Sequence, residues 1–317
     1  MKKISLLLDM DPGHDDAVAL LAALAHPGCR ILAVTTVAGN TAVENTCANA
    51  RRIMTLAGRT GVPVAAGASR PLSGRPVTAE NVHGRTGLEG ANLPEPAFAA
   101  VPDFAPELIV RRLRGSSQPV TLVATAPLTN IALALLRDRE AFHRVERLVI
   151  MGGAAGEGNV TPAAEFNVYA DPEAAGIVLG AGLPLFMVGL DVTHQAIMTG
   201  KDIETMRGLG GDVGAAVAGL LDFYRGHYDR VYAWGGVPLH DACAVAEALC
   251  PGIVTFSPMA VEVETRGEFT RGRTVCDRWG VTGKPANAAV ATGIRIGALK
   301  KFIFEALGRF PLPSPPR

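Results

Sequence analysis

The densest chemistry in the sequence lies near its start. The segment Asp9-Met10-Asp11-Pro12-Gly13-His14-Asp15-Asp16 places four carboxylates within eight residues. Folded together they repel one another, so a cation or bound protons must offset their charge. Carboxylate oxygens are hard ligands that suit Ca²⁺ or Mg²⁺ rather than zinc. Pro12 and Gly13 fit a sharp turn that folds the second aspartate pair back toward the first. A helix N-terminus accounts for one or two acids through capping and the helix dipole, but not for four.

The elements around the cluster give it a place. Residues 4–8 form an apolar run that reads as a buried strand. Residues 15–26 read as a helix, with Ala17, Leu20, Leu21 and Leu24 on one face. The cluster therefore sits where a strand hands over to a helix, the edge at which open α/β sheets bind ligands. The pattern recurs in strand 30–37 with helix 43–56, strand 118–124 with helix 128–136, strand 147–151 with helix 172–179, and strand 184–190. This alternation predicts an α/β fold: a single domain whose mostly parallel, Rossmann-like central sheet is flanked by helices. Residues 67–101, rich in Gly and Pro, read as a long loop. Residues 208–232 read as a helix, and 253–274 as antiparallel strands turning at Arg266 and Gly267. One domain over 1–309 is expected, followed by a Pro-rich tail at 310–317.

Composition excludes several classes. Lys+Arg and Asp+Glu both total 30, so no net field favours nucleic acid or a membrane surface. No apolar stretch is long enough to span a bilayer, and the N-terminal run is too short for a signal peptide. Cys29, Cys47, Cys243, Cys250 and Cys276 are scattered without a CxxC pair, which fits a reduced, cytoplasmic setting. A neutral chain is compatible with burial of surface in a homo-oligomer.

The cluster alone leaves the reaction open. A strand ending in Asp-x-Asp also opens the haloacid-dehalogenase-type phosphatases, where the first Asp is a nucleophile and Mg²⁺ the metal. That family usually continues with Gly-Thr or Gly-Val, whereas Pro12 and Gly13 follow here. Asp11-Pro12-Gly13-His14-Asp15-Asp16-Ala17 instead resembles the signature of the inosine-uridine-preferring nucleoside hydrolases. In family order come Val37-Ala38-Gly39-Asn40, His83-Gly84 with Thr86-Gly87-Leu88, and Leu128-Thr129-Asn130-Ile131-Ala132. Met151-Gly152-Gly153, Asn159, Glu165-Phe166-Asn167, Asp171-Pro172-Glu173-Ala174 and His240-Asp241 complete the set. Each string is weak alone, and their joint order is specific.

The resemblance implies hydrolysis of the N-glycosidic bond of ribonucleosides, of the inosine, uridine or cytidine type, to ribose and free base. It implies Ca²⁺ held by Asp11, Asp16 and Asp241 and by the Thr125 carbonyl, with Asp11 also the general base on a metal-bound water. Asp15, Asn40, Asn159, Glu165 and Asn167 would hold the ribose hydroxyls, with Met151 and Phe166 in the adjoining strings. His83 and His240 would lie near the nucleobase, His240 as proton donor to it, and relatives are often dimers or tetramers. Ala126 stands where similar proteins often have Gly, which bears on the loop beside the Thr125 carbonyl. Asp9 is expected to support the site rather than bind metal. Such a reaction builds positive charge on the ribose ring and needs an activated water and a protonated leaving group.

Other readings stand beside this one. Asn40, Asn159 and Asn167 each suit a turn, His14 suits a cap region with no chemical task, and His83 suits a surface loop. Tyr224 and Tyr228, one helical turn apart, suit core packing or a stacking face for the base. His14 resembles pyrimidine-preferring members and the tyrosines the broader type, so a pyrimidine-specific enzyme is the alternative to a broad or uridine-favouring one. A Mg²⁺ phosphatase and a non-catalytic ribonucleoside-binding protein are the remaining alternatives.

Overall fold

The structure, a computed structural model, describes residues 3–311. Among the described residues are eleven strands: β1 (Ile4–Met10), β2 (Cys29–Thr36), β3 (Val64–Ala66), β4 (Val120–Ala124), β5 (Val145–Met151), β6 (Leu185–Val188), β7 (Ile197–Thr199), β8 (Gly236–Pro238), β9 (Val254–Val263), β10 (Thr274–Asp277) and β11 (Ala288–Ile294). Nine of them form one sheet in the order β10-β9-β11-β6-β5-β4-β1-β2-β3, while β7 and β8 pair separately. From β3 across to β11 the neighbours are parallel, and β9 runs antiparallel to both β11 and β10. The order 3-2-1-4-5-6 within the sheet reverses direction between β1 and β4, and the crevice outside their carboxyl ends is where such sheets bind ligands.

A parallel sheet covered on both faces needs strands apolar on both sides. The run Leu6-Leu7-Leu8 meets that need: Leu6 and Leu8 join one buried cluster and Leu7 the other. The first cluster is covered by helices His14–Ala25, Val43–Leu56, His240–Leu249 and Ile296–Leu307. The second is covered by Ala105–Arg114, Thr129–Arg137 and Pro172–Leu179. Helix His14–Ala25 is buried from His14 to Ala23, because it lies between the sheet and helices His240–Leu249 and Ile296–Leu307.

Some expectations shift. The 67–101 segment holds a short helix, Glu80–His83, inside its irregular course. The helix expected over 208–232 is present as Asp212–Val231; it starts four residues later because Gly210 and Gly211 take φ of 63° and 57° and separate it from helix Gly200–Arg207. Phe310, read as the first tail residue, is buried in the first cluster. The rest of the expected tail, residues 312–317, lies outside the described residues.

Candidate active site

The carboxylates gather where two helices begin. Helix His14–Ala25 follows β1, and helix His240–Leu249 follows β8. Their first turns carry Asp15 and Asp16, and Asp241. The N-termini meet: the Asp241 main-chain N–H donates to Asp15 Oδ2 at 3.4 Å. Carboxylate oxygens of Asp15, Asp16 and Asp241 lie within 4.8 Å of one another. That trio differs from the expected ligand set in including Asp15. Asp11 enters on another observation. Its Oδ2 accepts the Asn40 main-chain N–H at 2.7 Å, while its Oδ1 is buried without a protein partner.

The cluster is tightly built. Asp16 Oδ2 accepts from Gly13 N at 3.1 Å and Asn40 Nδ2 at 3.3 Å, and Asp16 Oδ1 accepts from Thr125 Oγ1 at 2.8 Å. Asn40 Nδ2 also donates to the Asp11 carbonyl at 3.0 Å. The Thr125 carbonyl, just past β4, accepts from Asn167 Nδ2 at 3.1 Å, which also donates to the Met151 carbonyl. Gly39 is required here, because a Cβ would overlap Asp11 Oδ2. At Gly13 a Cβ would stand 2.6 Å from His83 Nδ1. Asp9 is tied by Oδ1 to residues outside the trio, accepting from Thr35 Oγ1 at 2.6 Å and Asn130 Nδ2 at 2.8 Å, while its Oδ2 is buried without a protein partner.

Burial sets the electrostatics. It pushes Asp16 up to about 7, with the Asp15 charge adding to the effect. Burial raises Asp11 and Asp241 well above the usual carboxylate range, with help from Asp16 and Asp15 respectively. It raises Asp15 as well, and Asp9 to about 7. Asp11, Asp15, Asp16 and Asp241, buried at such cost and with Asp11 Oδ1 orphaned, fit a hard divalent cation that would replace their protons.

A cavity of about 310 Å³ opens above the cluster, within the usual range of small-molecule sites. Its lining includes Asp15, Asn40, His83, Thr125, Met151, Asn159, Glu165, Phe166, Asn167, Tyr224, Tyr228, His240 and Asp241. Glu165 caps helix Phe166–Ala170 by accepting the main-chain N–H groups of Asn167 at 2.9 Å and Val168 at 3.2 Å, and its Oε2 also accepts that of Gly153 at 2.8 Å. A carboxylate keeps lone pairs for a ligand beyond these. Asn159 Oδ1 accepts from Phe166 N at 3.0 Å and fixes the neighbouring wall.

Across the cavity stands a polar chain. The Tyr224 hydroxyl is 3.2 Å from that of Tyr228, which is 3.0 Å from His240 Nε2, and His240 Nδ1 is 2.8 Å from Thr193 Oγ1. Burial lowers His240 to about 3, so its imidazole is neutral at ordinary pH. His83 is buried rather than on a surface loop. Sequence reasoning missed Thr193 and the lining residues Asn81, Val82 and Tyr232. Thr193 sits four positions before β7, between Asp191 and His194, and carries no motif.

The fold and the site together define an α/β enzyme with a cation-ready carboxylate floor facing a histidine–tyrosine wall. The profile of the inosine-uridine preferring nucleoside hydrolase family matches residues 6–301. The pyrimidine-specific ribonucleoside hydrolase RihA of Shewanella oneidensis is 52% identical over 307 residues, 96% of each chain. Two solved structures superpose at a TM-score of 0.89: a plant nucleoside hydrolase (31% identity, 96% of this chain and 99% of that one) and the purine-preferring ribonucleoside hydrolase of Gardnerella vaginalis (32%, 96% and 99%). The chain belongs to the inosine-uridine preferring nucleoside hydrolase family. It is an enzyme that hydrolyses the N-glycosidic bond of ribonucleosides.

Proposed function

We propose that the enzyme is calcium-dependent and prefers pyrimidine ribonucleosides, uridine foremost. The observation that carries the metal reading is the gathering of Asp15, Asp16 and Asp241 oxygens within 4.8 Å of one another, and the buried, unpartnered Asp11 Oδ1 supports it. Asp11, Asp16, Asp241 and the Thr125 carbonyl would hold the cation. When bound, it lowers the pKa of water and grips vicinal hydroxyls. The chain's own residues do the rest. Asp11 Oδ1 takes a proton from the attacking water as its oxygen bonds to C1′ of the ribose. The bond from C1′ to the base nitrogen breaks, and its electron pair leaves with the base. His240, neutral in the resting site, takes up a proton from solvent as negative charge builds on the base and passes it to the departing base, with Tyr228 and Thr193 holding its ring. The proton left on Asp11 returns to solvent when ribose departs. Asp15, Asn40, Asn159, Glu165 and Asn167 orient the ribose hydroxyls, and Met151 and Phe166 close the wall beside them.

Pyrimidine preference is supported by the 52% identity to a relative named pyrimidine-specific, against 32% to one named purine-preferring. The test is kcat/KM for uridine, cytidine and inosine on one preparation. A uridine value at least ~10-fold above inosine supports the preference, and equal values or an inosine advantage overturn it.

Two further readings belong here. The five free cysteines suit a reducing, cytoplasmic setting. The strongly exposed Phe269, Trp279 and Val281, around the β9–β10 connection and just past β10, suit burial between copies in a dimer or tetramer, which a light-scattering mass in solution decides. No helix among the described residues is long and apolar enough to cross a membrane.

A further inference from the structure

Outside the cavity, the loop that follows helix Glu80–His83 meets helix Asp212–Val231 backbone to backbone. Gly90 of the loop lies against Gly219 of the helix. A Cβ on Gly219 would stand 2.5 Å from the Gly90 carbonyl oxygen. One on Gly90 would stand 2.6 Å from both the Gly219 carbonyl oxygen and the Phe223 Cβ. Gly90 also takes φ of 104°, where a side chain is strained. Glycine inside a helix is disfavoured against alanine, so the close approach is what Gly219 contributes at that position.

The contact reaches the cavity through Glu89. Its carboxylate fills the space beside Gly84, where a Cβ would overlap it, and its Oε1 accepts the Thr86 main-chain N–H at 2.9 Å. The Glu89 carbonyl lies 2.8 Å from His14 Nε2. Gly84 directly follows helix Glu80–His83, whose Asn81, Val82 and His83 line the cavity. Tyr224 and Tyr228 line it from helix Asp212–Val231, and the His83 and Tyr224 rings stack with centroids 5.0 Å apart. The helix side is fixed, because Val217, Ala218, Leu220 and Leu221 are buried in the first cluster. Gly90 is exposed, so the loop is the side that yields.

We propose that Gly90 and Gly219 are positioning residues that set base size. Their close approach fixes the gap between the Glu80–His83 segment and the tyrosine helix, and that gap admits a one-ring base better than a two-ring base. The cavity of about 310 Å³ lies near the low end for small-molecule sites, so a change in its width is felt. A methyl on Gly219 needs about 1 Å more room to reach ordinary contact, and the loop supplies it by moving outward. The wider gap accommodates the second ring of a purine more easily and holds a pyrimidine less closely. The inference rests on the base lying between these two walls, and it deepens the pyrimidine preference proposed above.

The test is the ratio of kcat/KM for inosine to that for uridine, both measured on one calcium-loaded preparation of each variant. Gly219→Ala is expected to raise the ratio about 10-fold over the parent, chiefly through KM. Gly226→Ala, on the same helix but in open space, is expected to leave it within about 2-fold. Loss of stability alone removes folded enzyme and lowers both substrates alike. An unchanged ratio in Gly219→Ala therefore overturns the proposal, and so does a lower one. If Gly219→Ala does not fold by itself, the ratio is read in the Gly226→Ala background, where alanine in place of a helical glycine firms the helix. A parent that favours inosine would overturn the pyrimidine preference yet leave this comparison intact, because the shift is read relative to the parent.

Discussion

Asn40 grips Asp11 with its main-chain N–H, 2.7 Å from Oδ2, and so turns the other carboxylate oxygen into a buried atom with no protein partner. A base or ligand atom held this way needs no rearrangement to act, because its carboxylate is already oriented. Asp11→Ala is predicted to lower kcat by about 10³-fold or more, through loss of the base and of one cation ligand. Melting of the metal-free variant should be no lower than that of the parent, since one buried like charge has gone. Retained turnover, read with uridine as substrate, counts against this role for Asp11.

Gly39 tests the same contact from the other side. A Cβ there overlaps Asp11 Oδ2, so Gly39→Ala must push the carboxylate or its loop aside. A stability loss of about 1–3 kcal/mol is expected from the overpacking. The catalytic loss should exceed what that destabilisation explains, and a calcium titration should show weaker binding. Parent-like calcium affinity would mean that Asp11 is free to move without cost.

The chain from Tyr224 through Tyr228 to His240 predicts a dependence on leaving group. With uridine, His240→Ala should lower kcat by about 10²–10⁴-fold, the range for a lost general acid, and Tyr228→Phe by less. With 4-nitrophenyl riboside, whose phenolate leaves without a proton, both variants should stay within about 3-fold of the parent. An equal loss on both substrates would show that His240 shapes the site rather than donating to the base.

Stability should respond to pH in opposite ways with and without metal. In the metal-free protein Asp9, Asp16 and Glu165 are each raised to about 7 by burial, from ordinary values near 4 in the unfolded chain. Between those values the folded state binds more protons than the unfolded state, so stability falls as pH rises from about 4 through about 7. The metal-free protein should therefore melt at a higher temperature at pH 5.5 than at pH 8. Binding of calcium to the ionised carboxylates, as proposed, should raise the melting temperature most at pH 8. Scanning calorimetry at both pH values, with and without calcium, reads this; a metal-free melting temperature that rises with pH rules it out.

The sequence made much of this visible because local rules and global fold agree in it. The run at Leu6-Leu7-Leu8 is a strand buried on both faces, and helix His14–Ala25 begins one residue before the sequence placed it. Helix Ala105–Arg114 and helix Ile296–Leu307 went unread, although both are amphipathic, because no motif drew the reading to them. Within the site, residues in strings were legible and residues joined only by tertiary contact were not. Thr193 meets His240 across 47 positions, and His14 meets the Glu89 carbonyl across 75. Glu165 was legible as a site residue, but the N–H groups that occupy its oxygens appear only once its loop is folded. The same holds for Asp15, whose place beside Asp241 depends on two helix N-termini brought together from opposite ends of the chain.

The central claim is that the aspartate floor works by holding calcium. Its most direct test is ribose release from uridine by chelator-treated enzyme, followed by return of Ca²⁺ in steps. Turnover should vanish on chelation and return in proportion to sites filled, at one calcium per chain, in the parent and not in Asp11→Ala. Full activity in the metal-free enzyme would contradict the account.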